Sequence, residues 1–205
     1  VRVVMVHGGG PQLTAVAEAM GVKTRMVQGR RITDEKSIEV SSMVLNGLIN
    51  TRILAICREL NVQAVGISGV DAGVVQARQR KPVQLEGSSE VVDYGLVGDI
   101  DRIDTTAIRK LLDDGYLPVI SPLSADERGT LLNINADTVA AAIGAALGAE
   151  KLILCTGAPG ILERLEDPGS LIAYTYLEGL QRLRESGSIS DGMLPNTRAI
   201  DTAIK

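Results

Sequence analysis

Phenylalanine and tryptophan are absent from this chain of 205 residues, and tyrosine occurs only four times. Recognition of nucleic-acid bases by aromatic stacking is therefore close to excluded. Positive charge is in deficit as well: 21 Lys and Arg stand against 25 Asp and Glu, and the isoelectric point is near 5.1. The basic residues are scattered, so no cationic face is offered to a nucleic acid and none is expected as a partner. The two cysteines, Cys57 and Cys155, fall outside any metal or redox spacing, which fits a reducing cytoplasm. The longest run of small apolar residues, Thr138 to Ala149, contains two glycines and is too short to span a bilayer. The chain opens without a charged segment leading into an apolar one, so a cytoplasmic protein with no membrane association is expected. Lysine is scarce too, with six in all: Lys23, Lys36, Lys81, Lys110, Lys151 and Lys205.

What is present points to a folded α/β protein. A hydrophobic share of 45% rules out a disordered chain, and the length suffices for one large domain or two small lobes. Short β-branched runs recur at Val3 to Val6, Val62 to Ile67, Leu117 to Ser121 and Leu152 to Cys155. Between them the apolar residues take helical spacing, at Leu13 to Met20, Ile38 to Leu60, Thr105 to Leu112 and Ala136 to Leu147. Continuous apolar strands alternating with helices predict a mostly parallel sheet covered on both faces. The stretch from Gly69 to Asp101 alternates instead, which reads as antiparallel hairpin structure beside the main sheet. Further helices are expected at Leu177 to Glu185 and Pro195 to Ile204, and a lobe boundary near Gly148-Ala149.

Three clusters carry chemistry. In Val3-Val4-Met5-Val6-His7-Gly8-Gly9-Gly10-Pro11 a buried strand runs into three glycines and then a helix. Glycines bring backbone N–H groups close to an anion, and the helix adds the positive end of its dipole. Neither a dinucleotide fingerprint nor a P-loop is present. His7, the chain's one histidine, ends an apolar strand and is expected to be structural. The second cluster is Gly29-Arg30-Arg31-Ile32-Thr33-Asp34-Glu35, where Thr33 or Asp34 caps a helix and the arginines stand ready to grip a carboxylate. The third is Leu132-Asn133-Ile134-Asn135-Ala136-Asp137, whose period of two places Asn133, Asn135 and Asp137 on one face of an extended segment. Capping the next helix needs one of the three, which leaves two for another purpose.

Together with Ser190-Asp191-Gly192-Met193-Leu194-Pro195, these clusters resemble the amino acid kinase family in its acetylglutamate kinase branch, in order and spacing over essentially the whole chain. The resemblance implies a three-layer αβα sandwich with a mostly parallel central sheet. It implies ATP with Mg²⁺, N-acetyl-L-glutamate as the acceptor, phosphorylation of its side-chain carboxylate in arginine synthesis, and a homodimer or larger assembly. In that reading Gly9 and Gly10 hold the transferred phosphoryl group, Arg31 clamps the α-carboxylate, Asn133 binds the acetamido end and Asp137 organises the catalytic lysines. Gly157, Gly160, Met193 and Asn196 border the nucleotide. Residues 1–148 form the acceptor and phosphoryl-transfer lobe, and residues 149–205 the nucleotide lobe.

A carboxylate nucleophile is ionised at neutral pH, so such a reaction needs no general base; positioning and charge cancellation suffice. Against the family pattern, the chain starts after the strand that carries Lys-x-Gly-Gly, and the expectation is a fold lacking that first strand and incomplete at its carboxyl end. Asn196 stands where a lysine is usual and Gly157 where an aspartate is usual. One preorganised charge contact is worth about 10² to 10³ in rate, so impaired turnover is expected. Two alternatives stay open: an N-acetyl-aminoadipate kinase of lysine synthesis, one methylene away in substrate, and a binding or regulatory paralogue that transfers nothing.

Overall fold

The computed structural model describes residues 1–205 apart from 28–29, 86–88, 158–159, 165, 168, 187–188, 190–196, 198–199 and 201–205. Strand β1 (Met5–Val6) passes through the glycines into α1 (Gly10–Ala19), and β2 (Arg25–Val27) and β3 (Arg30–Ile32) form a ribbon. Next come α2 (Glu35–Ser42), a π-helical segment (Met43–Ile49) and α3 (Asn50–Glu59), continuous with one another. Strand β4 (Ala64–Ser68) precedes β5 (Val75–Gln79), β6 (Val83–Gln84), β7 (Val91–Val92) and β8 (Gly98–Ile103). Helix α4 (Thr106–Asp113) leads to β9 (Leu117–Ser121), β10 (Leu123–Ala125) and β11 (Leu131–Asn133), followed by α5 (Ala136–Leu147) and α6 (Leu177–Glu185).

One sheet has the order β1–β9–β4 and is parallel throughout, with Val6 beside Ile120 and Gly66 beside Val119. A second, mixed sheet has the order β11–β10–β5–β8, and β6–β7 forms a separate ribbon. Side-chain alternation on β4 separates the layers. A Cβ on Gly66 would lie 1.9 Å from Asn50 Oδ1, so only glycine lets α3 approach this closely. Ile67, on the opposite face, packs into the main core with Ile108 of α4, Ile120 of β9, and Val139 and Ile143 of α5. Helices thus cover both faces of the parallel sheet, as apolar strands demand.

The expected helices at 136–147 and 177–185 are found as such. Hairpin structure occupies 75–103, although the polar turn at 86–88 lies outside the described residues. The expected helix at 195–204 lies largely outside them too. The first strand starts at Met5 rather than Val3, where its pairing with β9 begins. Leu152 to Cys155 does not form the expected strand, and Ile153 is 76% exposed. β-branched residues favour a strand only where a neighbour completes the ladder, and among the described residues none pairs with this run.

The continuous helix Glu35–Glu59, longer than the run Thr138 to Ala149, has the length and hydropathy of a bilayer span. A core helix passes the same test. Ile38, Val40, Val44 and Leu45 are buried in hydrophobic clusters with Leu13, Ala17 and Leu123, and buried Ser41 and Asn50 are hydrogen-bonded within the protein.

Candidate functional site

β1 and β9 end side by side, and the glycine loop and Pro122 that follow them line a cleft of about 680 Å³. Parallel sheets bind ligands at this carboxyl end. The cleft is also lined by Arg31, Asn133, Asn135, Asp137 and Gly157, which brings together residues from Gly8 to Gly157 of the chain. Gly160 is not among the lining residues; it packs against Leu171. Met193 and Asn196 lie outside the described residues.

The loop is built to present N–H groups. Gly9 is the N-cap of α1 and its carbonyl accepts from Leu13 N at 2.8 Å. The N–H groups of Gly8, Gly9 and Gly10 have no acceptor among the described residues. A run of free N–H groups at a helix start is an anion site in waiting. His7, directly before it, is buried and has Gly8 O and Asn50 Nδ2 as partners, so its ring nitrogens are satisfied within the protein.

Arg31 on β3 is drawn back to the loop. Its Nη1 donates to Thr24 Oγ1 at 2.7 Å and its Nη2 to Thr14 Oγ1 at 2.8 Å, with Gly10 O at 3.5 Å. The Thr14 hydroxyl in turn donates to Gly10 O at 3.0 Å. Burial holds the guanidinium below its usual pKa range. Thr14 and Thr24 went unnoticed in the sequence, because isolated threonines on a helix and before a strand carry no pattern. The cap of α2 is Asp34, which accepts from Ser37 N at 2.8 Å; this bond and the Ser37 side chain depress its pKa. Thr33 is fully buried.

The third cluster is not one extended face. β11 ends at Asn133, Asn135 is the N-cap of α5, and Asp137 stands in the first helical turn. Capping changes the backbone from extended to helical between them, which breaks the period of two. Asn135 Oδ1 accepts from Thr138 N at 3.0 Å. Asn133 Nδ2 donates to Thr33 Oγ1 at 3.4 Å. Half-buried Asp137 has its carboxyl pKa raised by burial. The cleft therefore juxtaposes backbone donors, a prepositioned guanidinium, two carboxamides and a desolvated carboxylate, a set suited to a small polyanion.

The sequence model of the amino acid kinase family matches residues 1–205. The chain belongs to that family. It is 44% identical to an acetylglutamate kinase of Methanopyrus kandleri over 98% of the chain and 81% of the relative. It is likewise 44% identical to an acetylglutamate kinase of Myxococcus xanthus, over 100% of the chain and 68% of the relative. The fold superposes on the crystal structure of smu.665 from Streptococcus mutans UA159 with a TM-score of 0.85 and 26% identity, covering 99% of this chain and 78% of that one. The chain is accordingly a kinase, and family membership brings ATP as its phosphoryl donor.

Proposed function

We propose that the chain phosphorylates the side-chain carboxylate of N-acetyl-L-glutamate, using ATP with Mg²⁺, as a step of arginine biosynthesis in the cytoplasm. The observation that carries this reading is the convergence of the glycine loop, Arg31, Asn133 and Asp137 on one cleft; the acetylglutamate kinase relatives support it. An oxygen of the substrate carboxylate attacks the γ-phosphorus, the bond to the β-phosphate oxygen breaks, and ADP leaves as the acyl phosphate forms. The nucleophile is already ionised, so no proton is moved. Gly9 and Gly10 N–H groups bind the phosphoryl oxygens, where fixed donors act on developing charge. Arg31, held by Thr14 and Thr24, pairs with the α-carboxylate, and Asn133 binds the acetamido group.

Mg²⁺ when bound neutralises phosphate charge. Among the described residues no group of three His, Cys, Asp or Glu forms a cage. Among the described residues one carboxylate, Asp137, lines the cleft, which suits an ion held chiefly by substrate phosphates. In this reading residues 1–148 carry the acceptor and transfer functions, and residues 149–205, with Gly157, Gly160, Met193 and Asn196, the nucleotide. A homodimer is the proposed assembly; exposed Met43 and Ile56 on the long helix, and Leu60 just past its end, support it.

A hydroxamate assay for acyl phosphate, with ATP, Mg²⁺ and N-acetylglutamate, tests the activity. Turnover is expected, with kcat rising in Asn196→Lys. N-acetyl-aminoadipate run in parallel decides the acceptor, since a missing or added methylene is worth about 10- to 200-fold in kcat/KM. Calorimetric binding of N-acetylglutamate with no acyl phosphate from either form overturns the kinase reading in favour of a binding protein.

A further inference from the structure

Asn50 at the start of α3 settles the protonation of His7, which lies 43 positions earlier. Its Nδ2 donates to Val119 O at 3.1 Å and reaches His7 Nε2 at 3.2 Å. A carbonyl only accepts, so the amide nitrogen faces Val119 O and its second hydrogen is directed at Nε2. Nε2 must then be an acceptor and carry no proton. The imidazole proton is left on Nδ1, which has Gly8 O at 3.0 Å and donates to it.

Gly8 O and Gly9 N–H belong to one planar trans peptide and point in opposite directions. A bond that holds the oxygen therefore also aims the N–H. With glycine on both sides of this peptide unit, no side chain restrains its rotation. We propose that His7 is a positioning residue, locked by Asn50 in its Nδ1–H form so that its bond to Gly8 O orients the Gly9 N–H for the transferred phosphoryl group. The proposal rests on the functional reading above for its phosphoryl group, and on hydrogen-bond logic for its tautomer. It also explains why a buried imidazole occupies a place that an apolar residue would fill at lower cost.

Because the chain has a single histidine, long-range ¹⁵N–¹H correlation spectra of uniformly labelled protein read its tautomer without ambiguity. The Nδ1–H form is expected in the wild type, and a shift towards the Nε2–H form in Asn50→Leu. The kinetic arm uses side-chain mimicry. Asparagine places an N–H near the Nδ1 position, whereas glutamine places its amide near Nε2. His7→Asn is expected to retain most of kcat. His7→Gln should lose about tenfold or more, short of the 10² to 10³ for deleting a donor outright. The KM for N-acetylglutamate should hold in both. A wild-type Nε2–H tautomer overturns the proposal whether or not the protein is a kinase. Equal losses in His7→Asn and His7→Gln, tracking lowered melting temperatures, overturn it in favour of a purely structural imidazole. Failure of the kinase reading is seen separately, as absence of acyl phosphate from the wild type.

Discussion

Ile49 occupies the space that a side chain on Gly9 would need. A Cβ there would lie 2.1 Å from Ile49 Cδ1 and 3.1 Å from Leu45 Cδ2. Both contacts come from the π-helical segment, whose wider turn sets these side chains beneath the loop. Gly9→Ala is expected to destabilise the fold by about 1 to 3 kcal/mol through overpacking. Ile49→Val in the same chain should recover part of that loss, so the two changes are non-additive. Urea denaturation of the two single variants and the double variant measures the coupling; simple additivity would show that the loop does not lean on Ile49.

Arg31 is held by two threonine hydroxyls. Removing both hydroxyl partners in Thr14→Val with Thr24→Val leaves the charge in place but unanchored. Hydrogen bonds to charged groups contribute about 1.5 to 3 kcal/mol, and solvent at this half-exposed site reduces that, so a rise in KM for N-acetylglutamate of about tenfold is expected. Arg31→Lys should cost at least as much, because an ammonium lacks the planar fork. Steady-state kinetics check both, with kcat changing less than KM.

Acid stability should carry the mark of His7. Burial lowers its pKa in the native state below the usual 6.5, so the folded protein binds this proton less tightly than the unfolded chain. The neutral ring's contribution is complete above about pH 6.5 and is lost as the pH falls from there towards the native value. Melting temperatures of wild type and His7→Asn between pH 8 and pH 5 should show a steeper decline in the wild type. Parallel curves would remove His7 from the balance.

Asp137 has the opposite sign. Burial raises its carboxyl pKa, so its charge is a burden on the fold at neutral pH. Stability from this group is greatest below the unfolded pKa and declines as the pH rises through the native one. Asp137→Asn is expected to raise the melting temperature at pH 7 while lowering kcat. A fall in both would mean that Asp137 serves structure rather than chemistry.

Arg109 of α4 reaches across to the last carbonyls of α5, with Nη2 at 3.4 Å from Ala146 O and 3.3 Å from Leu147 O. A cation at a helix carboxyl end is worth about 0.3 to 1 kcal/mol. Arg109→Ala should lower stability by that order and leave kcat unchanged, as chemical denaturation and the hydroxamate assay would read.

Much of the site was legible in one dimension. The glycine run stands out because three bare backbone units follow an apolar strand and open a helix, and Asn135 and Asp34 sit where helix caps belong. The strand expected at Leu152 to Cys155 does not form, because β propensity describes a residue's fit to a neighbour, and a sequence does not say whether the neighbour is there. The third cluster departs from one face because the residue at which extended backbone turns helical is not fixed to a single position by sequence pattern.

The chain's own order of residues determined the alternation of strands and helices, the glycine loop after β1, the charged and amide groups near it, and the family. Those follow from local backbone preference and hydrophobic period, which act over a few residues. Tertiary structure alone decided that Thr14 and Thr24 hold Arg31, that Ile49 underlies Gly9, and that Asn50 fixes the proton on His7. Each of those relationships joins residues distant in sequence through a contact a few ångströms long, and only packing of the helices against the sheet brings them within reach.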